Sequence, residues 1–372
     1  MSEYEDDYIA AGLYEPEMAD GVARLELFDY LIDEFGASIP ELVQAQEDGG
    51  LLSFAAFRSL NAGRTRFTFA EAAASAGVDY EFAVQVWRCA GFPEPRQYER
   101  KFGPQDVEMF QLFGALTPFM DRDRVFELVR TVGEAVGRVA DAEVALMRSN
   151  VEAPLATEHK YVDVARTYVQ VAEELFPRIA DSLDNLHRHH LQAVGRRYSD
   201  VSAPTSTLNV VQLAVGFGDL AGYTGLWESL QPDQLALMLS TFEATTGDVI
   251  AAAGANVVKR IGDAVMFVTN APGVACGLAL ELLEQCAAAG LPKLRVGLAF
   301  GDVMVRQGDF YGATVNLAAR LVASAEAGTA LADKALYDRL ASVRNNYTFL
   351  PAGNYNLSGF IDPVEAFQLL RP

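Results

Sequence analysis

The chain has 372 residues, enough for two domains that each bury a core, and its 51% apolar and 21% charged composition is that of folded protein rather than disorder. The net charge is −21, and so acidic a surface repels phosphate backbones and anionic lipid headgroups, which sets aside general nucleic-acid and membrane-surface binding. Residues 207–372 hold ten Lys/Arg against fifteen Asp/Glu, a net −5, which leaves −16 on the first 206.

The N-terminus, Met-Ser-Glu-Tyr-Glu-Asp-Asp, is acidic where a signal peptide is basic and then apolar. Residues 1–17 read as a frayed acidic leader. From about 18 to 197 the pattern is helical. Thr68-Phe-Ala-Glu71 is a capping box, followed by a helix to Ala76, a turn at Gly77 and a second helix over 79–90. This is helix-turn-helix spacing, but the second helix offers Arg88 against Asp79 and Glu81, so a structural helix pair is the better reading than a DNA reader. Phe110, Leu112, Phe113, Leu116, Phe119 and Met120 form an apolar run suited to helical core or to a lipid pocket. Apolar positions then recur at helical spacing from Val125 to Val139 and from Val164 to Leu186, the second series interrupted by Pro177, which predicts a kink or restart. His187, His189 and His190 lie around Arg188 at the end of that series. They read equally well as a pH-responsive cluster at a domain junction or as a basic helix end complementing the dipole. Residues 198–207 are small, polar and proline-containing, which predicts a linker between domains 1–197 and 208–372.

Beyond the linker the texture changes. The pattern predicts a buried strand over 208–217, a helix over 232–253, and strands over 256–261 and 264–269 joined at Gly262-Asp263. A helix over 272–289, a strand over 294–305, a helix over 315–325 and strands near 347–350 and 364–369 follow. Strand–helix–strand–strand–helix–strand is the ferredoxin-like order, an antiparallel sheet with helices on one face. The fold class expected is α+β, a ferredoxin-like domain behind an all-α one. The least charged stretch, 208–227, contains Asp219 and several glycines, so no membrane span is expected. Cys89, Cys276 and Cys286 are odd in number and widely spaced, which gives neither a disulfide framework nor a cysteine zinc site and suits the cytoplasm.

Three motifs in the second domain carry chemistry. Phe217-Gly-Asp219-Leu-Ala-Gly222-Tyr-Thr224 places a carboxylate at a strand end beside small residues whose amides can hold phosphate oxygens. Lys259-Arg-Ile-Gly262-Asp263 puts a second carboxylate at a strand-to-strand turn, where two acids can share a metal pair. In Gly308-Asp309-Phe-Tyr-Gly312-Ala-Thr-Val-Asn316-Leu-Ala-Ala-Arg320, Asn316 and Arg320 project from one helix face, and Asp309 falls in the loop before it. Taken singly, a Gly-Asp turn or an Asn-x-x-x-Arg face is ordinary structure. Their joint order is not.

From about Leu208 to Leu370, ending in Leu357-Ser-Gly359 and Pro363-Val364, the sequence resembles the class III adenylyl cyclase catalytic domain. That resemblance implies Asp219, Asp263 and the Leu220 carbonyl as ligands of two Mg2+ or Mn2+ ions, and Gly222, Tyr223 and Thr224 as a phosphate loop. It implies Lys259 and Asp309 as the adenine-selecting pair, Asn316 as the ribose-orienting residue and Arg320 as the phosphate-neutralising one. Tyr223 stands where Phe is commoner and Gly218 where Ala is commoner; neither change removes a functional group. ATP is the implied substrate, with the metal acids from one subunit and the other residues from its twin, hence a homodimer. The alternative is a catalytically silent cyclase-fold module. The two-domain layout also resembles mycobacterial-type pH-responsive cyclases, whose helical domain regulates catalysis and can accommodate a fatty-acid-like ligand.

Overall fold

The computed structural model describes residues 2–61, 66–198, 210–222, 230–340 and 346–372. The chain divides into compact units of residues 1–192 and 193–372. Most of the expected linker, and Tyr223 and Thr224, lie outside the described residues.

The first unit carries helices α1 (Glu5–Ala10), α2 (Gly21–Phe35), α3 (Ile39–Glu47), α4 (Phe54–Asn61), α5 (Phe69–Ala76), α6 (Tyr80–Cys89), α7 (Pro104–Leu116), α8 (Arg122–Met147), α9 (Ala153–Thr157), α10 (Tyr161–Gln170) and, up to Gln192, most of α11 (Phe176–Tyr198). Its apolar side chains gather into two cores, one around Tyr8, Phe28, Leu31 and Leu42 and one around Phe69, Phe82, Phe102 and Phe110. The expected acidic leader is therefore not frayed. Glu5–Ala10 is helical, Tyr8 is fully buried, and its hydroxyl donates to Asp29 at 3.0 Å. Aromatic burial there outweighs the local acidity.

The capping box forms as read, with Thr68 N–H on Glu71 at 2.9 Å and Glu71 N–H on Thr68 Oγ1 at 3.3 Å. Arg88 pairs with Glu94. Pro177 does not break its helix; the chain widens into a π turn at Val171–Leu175 just before α11, which absorbs the missing N–H and the ring. Of the apolar run from Phe110 to Met120, Phe110 and Phe113 are buried in the core, whereas Leu112 and Phe119 are 59% and 84% exposed.

The second unit runs β1 (Val210–Leu220), α12 (Pro232–Ala252), β2 (Asn256–Ile261), β3 (Ala264–Thr269), α13 (Pro272–Ala288), β4 (Leu294–Arg306), β5 (Asp309–Tyr311), α14 (Ala313–Ser324), β6 (Ala330–Asp333), α15 (Lys334–Arg339), β7 (Thr348–Tyr355) and β8 (Val364–Leu370). The sheet order is β2-β3-β1-β4-β6-β8-β7, with β5 paired to β4. Strands β2, β3, β1 and β4 are antiparallel, as the ferredoxin-like order requires, but β4 and β6 run parallel. The helices do not share one face. α12 and α13 cover the side carrying Ala214, Phe267, Val296 and Leu298, while α14 covers the side carrying Leu213, Val215, Met266 and Ala299. Strand β1 is buried on both faces as a result, which is why its centre reads as a continuous apolar run rather than an alternation. Among the described residues α12 alone has the length and apolarity to cross a bilayer; its Phe242 and Ile250 are buried in this core.

Candidate active site

β1 delivers Asp219 to the end of the sheet, directly opposite Arg295 of β4 in the antiparallel register. Oδ2 of Asp219 accepts from Arg295 Nε at 2.8 Å and Nη2 at 2.5 Å, and Arg295 Nη1 also donates to the Ala323 carbonyl of α14 at 3.3 Å. Asp263 sits beside Asp219 on the turn between β2 and β3, and its carbonyl accepts from Leu220 N–H at 3.2 Å. Burial, reinforced by the Asp219 charge, holds the Asp263 carboxyl above the usual carboxylate range, with Arg295 pulling the other way.

Two adjacent carboxylates and the Leu220 main chain make an all-oxygen donor set suited to a hard divalent cation. Among the described residues no group of three His, Cys, Asp or Glu gathers for a metal. Such a cation would therefore complete its shell with substrate phosphate and water, the usual habit of Mg2+. Gly222 follows with φ +78, beyond which the phosphate-loop candidates leave the described residues.

Asp309 is on a strand rather than in a loop. β4 and β5 form a hairpin closed by Gln307 and Gly308 at φ 52 and 74, the positive-φ pair of a type I′ turn. The hairpin brings Asp309 Oδ2 to 2.5 Å from Lys259 Nζ, joining positions fifty residues apart. Both side chains are partly exposed, at 28% and 39%, so the pair can open to a ligand. Asn316 and Arg320 share the exposed face of α14, and Arg320 makes no ion pair among the described residues. His187, His189 and His190 lie on an exposed stretch of α11, with Arg188 held by Asp184 at 2.8 Å. Cys276 and Cys286 are buried, which pushes their thiols up to about 12 and about 11 and leaves them unreactive.

Arg295 escaped the motif reading. Its one signal was a cation at the second position of a strand whose next six residues are apolar or glycine.

A ferredoxin-like sheet extended at one edge, with acids at the β1 and β2–β3 ends and a Lys–Asp pair linking β2 to the β4–β5 hairpin, is the architecture of a nucleotide cyclase domain. Residues 206–371 match the family described as the adenylate and guanylate cyclase catalytic domain. An uncharacterised protein of Mycobacterium tuberculosis is 35% identical over 364 residues, covering 97% of this chain and 92% of its own. An adenylate cyclase of Streptomyces coelicolor is 32% identical, over 75% of this chain and 73% of its own. A pH-sensitive adenylate cyclase of M. tuberculosis is 28% identical, over 79% and 76%. The chain belongs to the class III adenylate and guanylate cyclase family, as an enzyme of its adenylate cyclase group.

Proposed function

We propose that the protein converts ATP to cyclic AMP and pyrophosphate at sites shared between two copies of the chain. The observation that carries the reading is the Lys259–Asp309 pair, a donor and an acceptor fixed side by side. Lys259 donates to the adenine ring and Asp309 accepts from its exocyclic amine, so ATP replaces the mutual ion pair with one contact to each partner. Asp219, Asp263 and the Leu220 carbonyl would hold two Mg2+ or Mn2+ ions, whose charge would supply the acidification of the ribose 3′-hydroxyl and offset the triphosphate. Asn316 orients the ribose, so that the 3′-oxygen attacks the α-phosphorus in line with the leaving pyrophosphate. Arg320 neutralises charge growing on the transferring phosphate, and Gly222, Tyr223 and Thr224 cradle the other phosphate oxygens. Little covalent work falls to side chains; positioning and charge supply the rate.

The metal acids come from one copy and the purine pair, Asn316 and Arg320 from its twin, so a twofold homodimer builds two equivalent sites. A silent cyclase-fold module would have no reason to keep Asp219, Asp263 and Arg320 together. Residues 1–197 act as a regulatory domain, with His187, His189 and His190 as its pH-responsive part. A fatty-acid-like ligand there rests on family resemblance alone. The setting is the cytosol.

Asp219→Ala and Arg320→Ala proteins should each lose activity on the order of 100-fold or more, and a mixture of the two should regain cyclic AMP synthesis. Retained activity in either variant alone, or a mixture that stays inactive, removes the shared-site mechanism.

A further inference from the structure

Asp219 and Arg295 stand opposite one another on β1 and β4. Alternation along the strands puts both on the side that α14 covers, with Val215 and Ala299. Gly297, two residues along β4 on that side, has no Cβ to hold the helix off the strand. The close approach brings the Ala323 carbonyl within 3.3 Å of Arg295 Nη1. Ala323 lies in the last turn of α14, whose final carbonyls have no partner inside the helix and favour a cation. One corner of the guanidinium is thus tied to the helix, and its other two donors converge on a single carboxylate oxygen. Nε and Nη2 both donate to Oδ2 of Asp219, at 2.8 and 2.5 Å, which leaves Oδ1 outside the clamp. The side chains of Arg295 and Asp219 are only 29% and 19% exposed, so water screens them less than a surface ion pair.

We propose that Arg295 is a positioning residue of the metal site, holding Asp219 beside Asp263 with Oδ1 left for a divalent cation. The inference rests on the assignment of Asp219 as a metal acid in the reading above. Asp263 hydrogen-bonds the same carboxylate from the β2–β3 turn. Two carboxylates that close repel, and Asp219 without a clamp would rotate away from its neighbour. Hydrogen-bonded partners of a ligating carboxylate fix its orientation, and losing one costs about 10- to 100-fold in metal affinity or activity. A cross-strand ion pair serving the sheet alone needs a single contact. Here three donors are divided between two anchors, which the planar fork of Arg allows and the one nitrogen of Lys does not. The guanidinium charge itself opposes an incoming cation, so the proposal requires that orientation outweigh this repulsion. The sign of the change on removing Arg295 decides between them.

The test uses the full chain with Arg295→Gln, Arg295→Lys and Asp219→Ala, each titrated with Mn2+ alone while the free ion is followed by its paramagnetic resonance signal. Asp219→Ala marks the binding that does not depend on the metal acid. Arg295→Gln is expected to bind Mn2+ about 10- to 100-fold more weakly than the parent, with Arg295→Lys between the two. The Mn2+ concentration for half-maximal cyclic AMP synthesis should rise further than turnover at saturating Mn2+ falls. If the Gln protein does not fold, Arg295→Lys, which keeps the charge beside Asp219, carries the test. Parental Mn2+ affinity in either Arg295 variant, whatever its melting temperature, overturns the proposal. Tighter binding also overturns it, because Arg295 would then be a competitor of the metal. Equal binding by the parent and Asp219→Ala removes the metal assignment itself. Binding lost in Asp219→Ala and unchanged in the Arg295 variants removes the positioning role alone.

Discussion

Asp333 caps α15 from the end of β6, accepting from Leu336 N–H at 2.9 Å and Phe300 N–H at 3.2 Å, and is only 4% exposed. Burial pushes its carboxyl up to about 6 despite those amide donors. A folded-state pKa above the unfolded one means the charged form is disfavoured by folding. The associated stability is fully present below about pH 4 and is lost as pH rises through 6. A shift of that size corresponds to roughly 3 kcal/mol. Asp333→Asn keeps an acceptor for both amides without the charge. Its melting temperature relative to the parent should therefore climb as pH rises from 5 to 7.5, and a constant difference would mean Asp333 ionises freely. The pattern alone could mark Asp333 as an acid; its burial depended on β6 being a strand, which Ala-Leu-Ala-Asp gives little reason to expect.

At the level of elements, the placement of Asn316 and Arg320 hangs on how closely α14 approaches β4. A Cβ on Gly297 would lie 2.2 Å from Val322 N and 2.5 Å from the Ala318 carbonyl, both backbone atoms. Gly297→Ala must push the helix away from the strand. A loss of about 1–3 kcal/mol in stability is expected from overpacking. Cyclic AMP turnover should fall more than ATP binding, because Arg320 is assigned to the transferring phosphate and Lys259 and Asp309 lie outside the helix. Unchanged turnover at normal stability would show that α14 tolerates the shift. The expectation of helices on one sheet face missed this contact, since a glycine inside an apolar strand carries no sign of which helix it meets.

For the whole molecule, the proposed regulation through α11 makes a direct prediction. Protonating His187, His189 and His190 beside Arg188 adds repulsion along one helix. Replacing all three with Gln in the full chain should flatten the dependence of activity on pH between 5 and 8. A profile that overlays the parent assigns those residues to the helix end alone.

The β2 and β3 bounds, the turn at Gly262-Asp263 and the helix at 272 were readable from sequence because hydrophobic period and turn chemistry are local. So was the family; the six candidate catalytic side chains were chosen by type and order, which need no knowledge of contacts. The three-residue β5 was too short to read, and β6 too rich in alanine. The joining of Lys259 to Asp309, the clamp of Arg295 on Asp219 and the division of helices between two faces came only from the folded chain. Each of these depends on register between strands distant in sequence, and a pattern within one segment holds no information about which other segment lies beside it.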